Sequence, residues 1–160
     1  MRLRQGFEGG WLALLAAAAD RVTKALASRM DGARSLIPGI LRLRPTVNRG
    51  MAFSMLSGQT ALLSALSAVL IAVLAGWLVS HPDERGLMRS GLWLVVGGGI
   101  GNLFDRLAYG HVIDFIEPVF VRFAVFNIAD ACICVGAALA LLGMLTDEWR
   151  RKRESAHGDV

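Results

Sequence analysis

Polar residues interrupt the apolar runs of this chain at only a few places, and those places set its organisation. Thr60–Ser80 (TALLSALSAVLIAVLAGWLVS) carries no charged residue, and about 20 such residues cross a bilayer as a helix. Ile128–Leu145 is a second run, broken only by Asp130. Ser90–Phe104 is a third. Its glycines Gly97, Gly98, Gly99 and Gly101 weaken it as an isolated helix, but in a membrane they let neighbouring helices approach closely. Trp11–Ala19 is too brief to cross alone and has to continue through Asp20 to Lys24. Those two residues stand at i and i+4, on one helical face, where they can pair. The same N-terminal stretch, with Arg2 and Arg4 ahead of a short apolar run ending in alanines, also fits a cleavable signal peptide. The first reading predicts four transmembrane helices and the second three.

The connections differ in character. Asp31–Gly58 holds Pro38 and Pro45, and within it Leu36–Val47 alternates leucine with arginine (Leu41-Arg42-Leu43-Arg44). That alternation predicts a short strand or hairpin at the membrane surface. Asp105–Asn127 contains HVIDFIEPVFVRF, an extended apolar stretch broken by Pro118, and His81–Arg89 reads as a short solvated loop. Four helices put both termini on one side, and the row Arg150, Arg151, Lys152, Arg153 assigns that side to the cytoplasm. Arg29, Arg34, Arg42, Arg44 and Arg49 then fall outside, with lipid headgroups as their expected contacts. The expected fold is all-α membrane: four transmembrane helices with a small extracytoplasmic β-cradle. Residues 1–160 form one integral-membrane domain, 31–58 the surface cradle and 150–160 a cytoplasmic tail.

Composition sharpens the membrane reading. The chain is 54% hydrophobic, against about 45–50% for a soluble domain on a count that also includes glycine. Its net charge is +4, yet no stripe of Lys and Arg interleaves with aromatics, so anionic headgroups rather than nucleic acid are the expected partner. Cys132 and Cys134 are two apart in an apolar run and on a helix point to different faces.

Against that background the acidic residues stand out. A carboxyl inside a bilayer is costly and is by default a functional hypothesis. Asp114 lies among Val112, Ile113, Phe115 and Ile116, surroundings that raise a carboxyl pKa by disfavouring charge; a β-edge aspartate facing water is the plainer alternative. Asp130 follows Asn127 by three, which equally describes an N-cap and a first-turn acid favoured by the helix dipole. If Asp114 and Asp130 face each other, they share a proton. Asn102, Asp105 and Arg106 can share a helical face, and Arg106 can neutralise Asp105. His81, His111 and His157 are scattered, with no further histidine or cysteine at metal spacing. No GxSxG elbow occurs, and the Gly97–Gly101 run lacks the lysine of a phosphate loop. A proton or ion translocator and a non-catalytic scaffold are the competing classes. The acids cluster at one end of their helices, which suits a substrate arriving from outside.

Five stretches in order, Asp20–Lys24 (DRVTK), Asn48–Ser54 (NRGMAFS), Gly97–Arg106 (GGGIGNLFDR), Gly110–Phe115 (GHVIDF) and Phe126–Asp130 (FNIAD), resemble lipoprotein signal peptidase, also called signal peptidase II. The likeness spans residues 20 to about 142, and departs at Arg21 and Met51, where a neutral amide and a small residue are common. It implies an aspartyl endopeptidase of the bacterial inner membrane, with Asp114 and Asp130 as the catalytic pair and no cofactor or metal. It implies support from Asn48, Asn102, Asn127, Asp20, Lys24, Asp105 and Arg106, with Asp20–Lys24 and Asp105–Arg106 as ion pairs fixing helix ends. It further implies diacylglyceryl-modified prolipoproteins as substrates, cut before the lipidated cysteine, a monomer among membrane lipids, and an active site near the outer face beneath a shelf at Phe53.

Overall fold

The structure is a computed structural model that describes residues 8–50, 56, 58–84 and 86–157, without the side chains of 150, 151 and 154–157. In chain order its elements are α1 (Gly10–Ala27), β1 (Arg34–Ile37), β2 (Leu41–Asn48), α2 (Thr60–Ser80), α3 (Gly86–Tyr109), β3 (Val112–Pro118) and α4 (Ile128–His157).

Burial is inverted relative to a water-soluble protein. Asp20, Lys24, Arg89, Asn102, Asp105, Asp114 and Asn127 are buried, whereas Leu14, Leu66, Val69 and Leu107 are exposed. Apolar surface of that kind is stable where the surrounding medium is itself apolar. By length and composition α2 and the Ile128–Trp149 part of α4 can cross a membrane, with mean hydropathies of 2.5 and 2.2.

α3 lies at the centre because its glycines admit its neighbours. A Cβ on Gly97 would sit 2.5 Å from the Ala13 carbonyl oxygen of α1, and one on Gly98 would sit 2.4 Å from the Ala129 carbonyl oxygen of α4. The expectation that glycines bring backbones together therefore holds. α3 extends beyond Ser90–Phe104 at both ends, and this corrects the solvated loop expected over His81–Arg89. Arg89 is buried, and its guanidinium donates to the carbonyls of Glu8 (2.7 Å), Leu78 (3.2 Å) and His81 (3.1 Å). Carbonyls at the end of α2 lack partners within the helix, and Arg89 supplies them. α4 likewise runs past Leu145 to His157, where an exposed Lys152–Glu148 pair of 2.6 Å spans one turn.

The expected hairpin is present. β1, β2 and β3 form an antiparallel sheet in that order. The third strand was legible only as an extended segment. Gly110, at φ +74°, turns the chain out of α3 and into β3, a conformation glycine adopts at helix ends. The β2–β3 register shifts between Leu43 and Thr46, which faces Asp114. Pro45 lies in that shift, as expected of a residue with no N–H to give the ladder. Glu117 of β3 accepts from Arg42 (2.7 Å) and Arg44 (2.9 Å), giving a protein partner to two of the arginines for which headgroup contacts are expected. The two guanidinium groups hold the Glu117 carboxyl down at about 2. The shelf at Phe53 and the departure at Met51 lie outside the described residues.

Candidate active site

Four strand and helix ends meet where β3 leaves α3 and α4 begins, and two pairs of aspartates lie there. The first pair is held by Lys24. Its Nζ donates to Asp20 (2.8 Å), to Asp105 (2.8 Å) and to Asn102 Oδ1 (2.9 Å). Asp20, Lys24 and Asp105 are all fully buried. Arg21 closes the cluster by pairing with the other Asp105 oxygen, its guanidinium 4.8 Å above the Phe104 ring. Asp20 also accepts the Ala129 N–H (3.0 Å), tying α1 to the first turn of α4. A Cβ on Gly101 would lie 2.5 Å from Asp20 Oδ2, so only glycine leaves room for this carboxyl.

The expected Asp20–Lys24 pair is therefore present, but the expected Asp105–Arg106 pair is not. Asp105 is neutralised from α1 instead. Arg106 donates to the carbonyls of Gly50 (3.1 Å) and Asn102 (3.4 Å). Consecutive helical residues point about 100° apart, so neighbours in sequence are poorly placed to pair.

The second pair, Asp114 and Asp130, is served by amides. Asp114 accepts from Asn48 Nδ2 (2.9 Å) and Asn127 Nδ2 (2.6 Å). Asp130 accepts from Asn102 Nδ2 (2.7 Å) and the Asn127 backbone N–H (3.2 Å). Asn127 also caps α4, its Oδ1 accepting the Asp130 N–H (2.9 Å). The N-cap reading and the site reading of Asn127 thus describe one geometry, a reciprocal cap whose side-chain N–H₂ is left to reach Asp114. Asn102 Oδ1 takes both Lys24 Nζ and Asn127 Nδ2 (3.1 Å). With two donors on the oxygen, its amide has one orientation, and the Nδ2 must face Asp130.

Asp114 lies on an edge strand, yet it is only 3% exposed, which corrects the water-facing alternative. Burial pushes its carboxyl up to about 6, the Asn48 hydrogen bond opposes this, and the Asp130 charge adds to it. Both acids border one cavity of about 390 Å³, together with Asn48, Asn102, Arg106 and the Phe123–Phe126 segment. A second space of about 550 Å³ opens from Asp114 and Asn48 past residues 122–125. The 122–125 segment and the Arg21 contact carried no signal in the sequence. Arg21 registers there as a departure from a motif, and the 122–125 segment lines the site through a fold-back that pairs Phe126 with Ile116. His81 stacks on Trp77 and His111 lies beside Tyr109. Among the described residues no three His, Cys, Asp or Glu side chains stand together as metal ligands.

The family model described as signal peptidase (SPase) II matches residues 12–146. A lipoprotein signal peptidase of Mesorhizobium japonicum is 45% identical over 76% of this chain and 73% of its own length. The lipoprotein signal peptidase of Pseudoalteromonas translucida is 40% identical over 86% and 88%. A solved bacterial membrane enzyme superimposes with a TM-score of 0.82 at 27% identity, covering 88% of this chain and 89% of that one.

Proposed function

This chain belongs to the signal peptidase II family, and we propose that it removes signal peptides from diacylglyceryl-modified prolipoproteins by aspartyl hydrolysis at Asp114 and Asp130. One observation carries the reading: a single residue, Asn127, joins the two carboxyls, and both open on one cavity. The family supports peptide-bond cleavage and lends nothing to a translocator.

Asp114, whose carboxyl is pushed up to about 6 by burial, holds the proton. Asp130 stands at the N-terminus of α4 with a donor on each oxygen, which fixes the orientation of its carboxylate. Asp130 takes a proton from a water as its oxygen adds to the scissile carbonyl carbon, and Asp114 gives its proton to the carbonyl oxygen. Collapse of the tetrahedral species breaks the C–N bond. The proton on Asp130 passes to the leaving α-amino group of the cysteine, and Asp114 recovers its own. Asn48, Asn102 and Asn127 fix the two carboxyls, and Asp20, Lys24 and Asp105 fix Asn102. Arg106 borders the cavity and steadies the Gly50 carbonyl.

The setting we propose is the bacterial inner membrane. All four helices cross it, both termini are cytoplasmic, the dyad and β-cradle lie near the outer face, and the protein acts as a monomer among lipids. α1 stays attached, since Asp20 and Lys24 belong to the site and Ala13 and Ala16 pack on Gly97. The deciding experiment is a gel-shift assay on a diacylglyceryl-modified precursor. Wild type converts it, whereas Asp114→Asn and Asp130→Asn accumulate in the membrane and do not. Conversion by either variant at the wild-type rate removes the dyad.

A further inference from the structure

A groove of about 360 Å³ runs along α2 below the dyad. Leu63, Leu66, Leu70 and Leu74 form one wall at helical spacing, and Val95 and Gly99 of α3 face them. Asn102, Arg106 and Asp130 border this groove and also the cavity of the dyad, so the two spaces meet at the reacting carboxyl. Leu66 and Leu70 are each 55% exposed, which leaves the groove accessible from the side of the helix bundle.

Its shape and lining select the occupant. From Leu63 to Leu74 the wall runs roughly 16 Å at 1.5 Å per residue. Leucines about one turn apart line it, facing Val95 and Gly99, and its charged residues, Arg106 and Asp130, also border the cavity of the dyad. A thin, unbranched, apolar chain fits that shape.

We propose that this groove takes one acyl chain of the diacylglyceryl group on the substrate cysteine, an inference that rests on the peptidase reading. The chain leaves lipid rather than water on entering, so apolar burial adds little affinity. The groove instead sets position: with the chain seated along α2, the glyceryl-cysteine stands at the junction with Asp130. Placement errors near 1 Å can cost about 10²-fold in rate, so the groove acts on kcat more than on KM.

The test pairs two precursors of identical peptide sequence, one bearing palmitoyl chains and one bearing acetyl groups, with two variants that narrow the groove. Leu70→Trp changes a half-exposed wall residue. Gly99→Val adds atoms where a Cβ already lies 3.0 Å from Ile71. Each variant is expected to lower kcat on the palmitoyl precursor roughly tenfold or more, with KM little changed, while cutting the acetyl precursor as wild type does. A general folding defect lowers both. A palmitoyl precursor with a photoreactive group at mid-chain is expected to label the 63–74 and 95–99 segments of wild type. If neither variant separates the two precursors, or the label falls only elsewhere, the groove is not the acyl site. If wild type cuts neither precursor, the peptidase reading itself fails, a result separable from the other two.

Discussion

Asp20 and Asp105 share a lysine; Asp114 and Asp130 share an asparagine. All four carboxyls lie within one small region of the molecule, and their partners separate them. The Lys24 cluster contains two acids and two bases, Lys24 and Arg21, in direct ionic contact. A buried group of that kind is costly to break by removing one member, and its members are spent on one another. The second pair has neutral amide donors and borders a cavity. The Asp130 charge, like burial, disfavours ionisation of Asp114, and the proposed mechanism draws on the proton kept there. The two regions meet at Asn102, where Lys24 orients the amide that serves Asp130.

The comparison breaks most sharply in activity. Asp114→Asn or Asp130→Asn is expected to lower kcat/KM by at least roughly 10³-fold, the order of a lost general acid or base, while Lys24 and its partners stay in place. Cleavage of a diacylated precursor measures this. Next in size, Lys24→Met leaves Asp20 and Asp105 short of a buried cation and is expected to cost about 3–5 kcal/mol of stability. Denaturation in detergent checks it; a variant as stable as wild type would dissolve the contrast between the pairs.

Asp114 points the opposite way. Its carboxyl is held at about 6 against an ordinary 3.8, so the folded protein binds this proton more tightly than the unfolded chain. That contribution is complete below the ordinary value and is lost as pH rises through about 6. Above that pH, Asp114→Asn removes a buried charge and is expected to stabilise the protein by up to about 3 kcal/mol; near the ordinary carboxyl range the difference vanishes. In wild type, kcat/KM is expected to fall as pH climbs through about 6, because the proposed mechanism uses the protonated form of Asp114. A rate still rising there reverses the assignment of the proton. Gly101→Ala presses a methyl group onto Asp20 and is expected to cost about 1–3 kcal/mol. The smallest effect belongs to the β-sheet: Glu117→Gln weakens a half-buried surface ion network with Arg42 and Arg44, and the loss should fade as salt is raised.

Much of the frame was legible in local pattern. α2 coincides with the uncharged run Thr60–Ser80, the hairpin with the Leu-Arg alternation, and the Asp20–Lys24 pair with an i, i+4 spacing. Asn127, Asp130 and Asp114 were singled out as acids and amides set in apolar sequence, and the motifs resembled the family to which the chain belongs. Helix ends were not legible, because α3 begins early to place Arg89 under carbonyls contributed by Leu78 and His81. The partner of Asp105 was not legible either, since it comes from α1, more than 80 positions away in the chain.

What the sequence determined by itself, then, are properties read within a few turns: which runs are apolar enough for a bilayer, which faces carry pairs one turn apart, and which acids sit among residues that disfavour charge. What only tertiary structure decided is which acid meets which donor. Asp105 and Asp130, carboxyls of the same chemical type, are served differently because Lys24 of α1 reaches the first and Asn102 of α3 reaches the second. That choice depends on distances of about 3 Å between elements remote in sequence, and the α3 glycines set those distances by letting α1 and α4 close in on one helix.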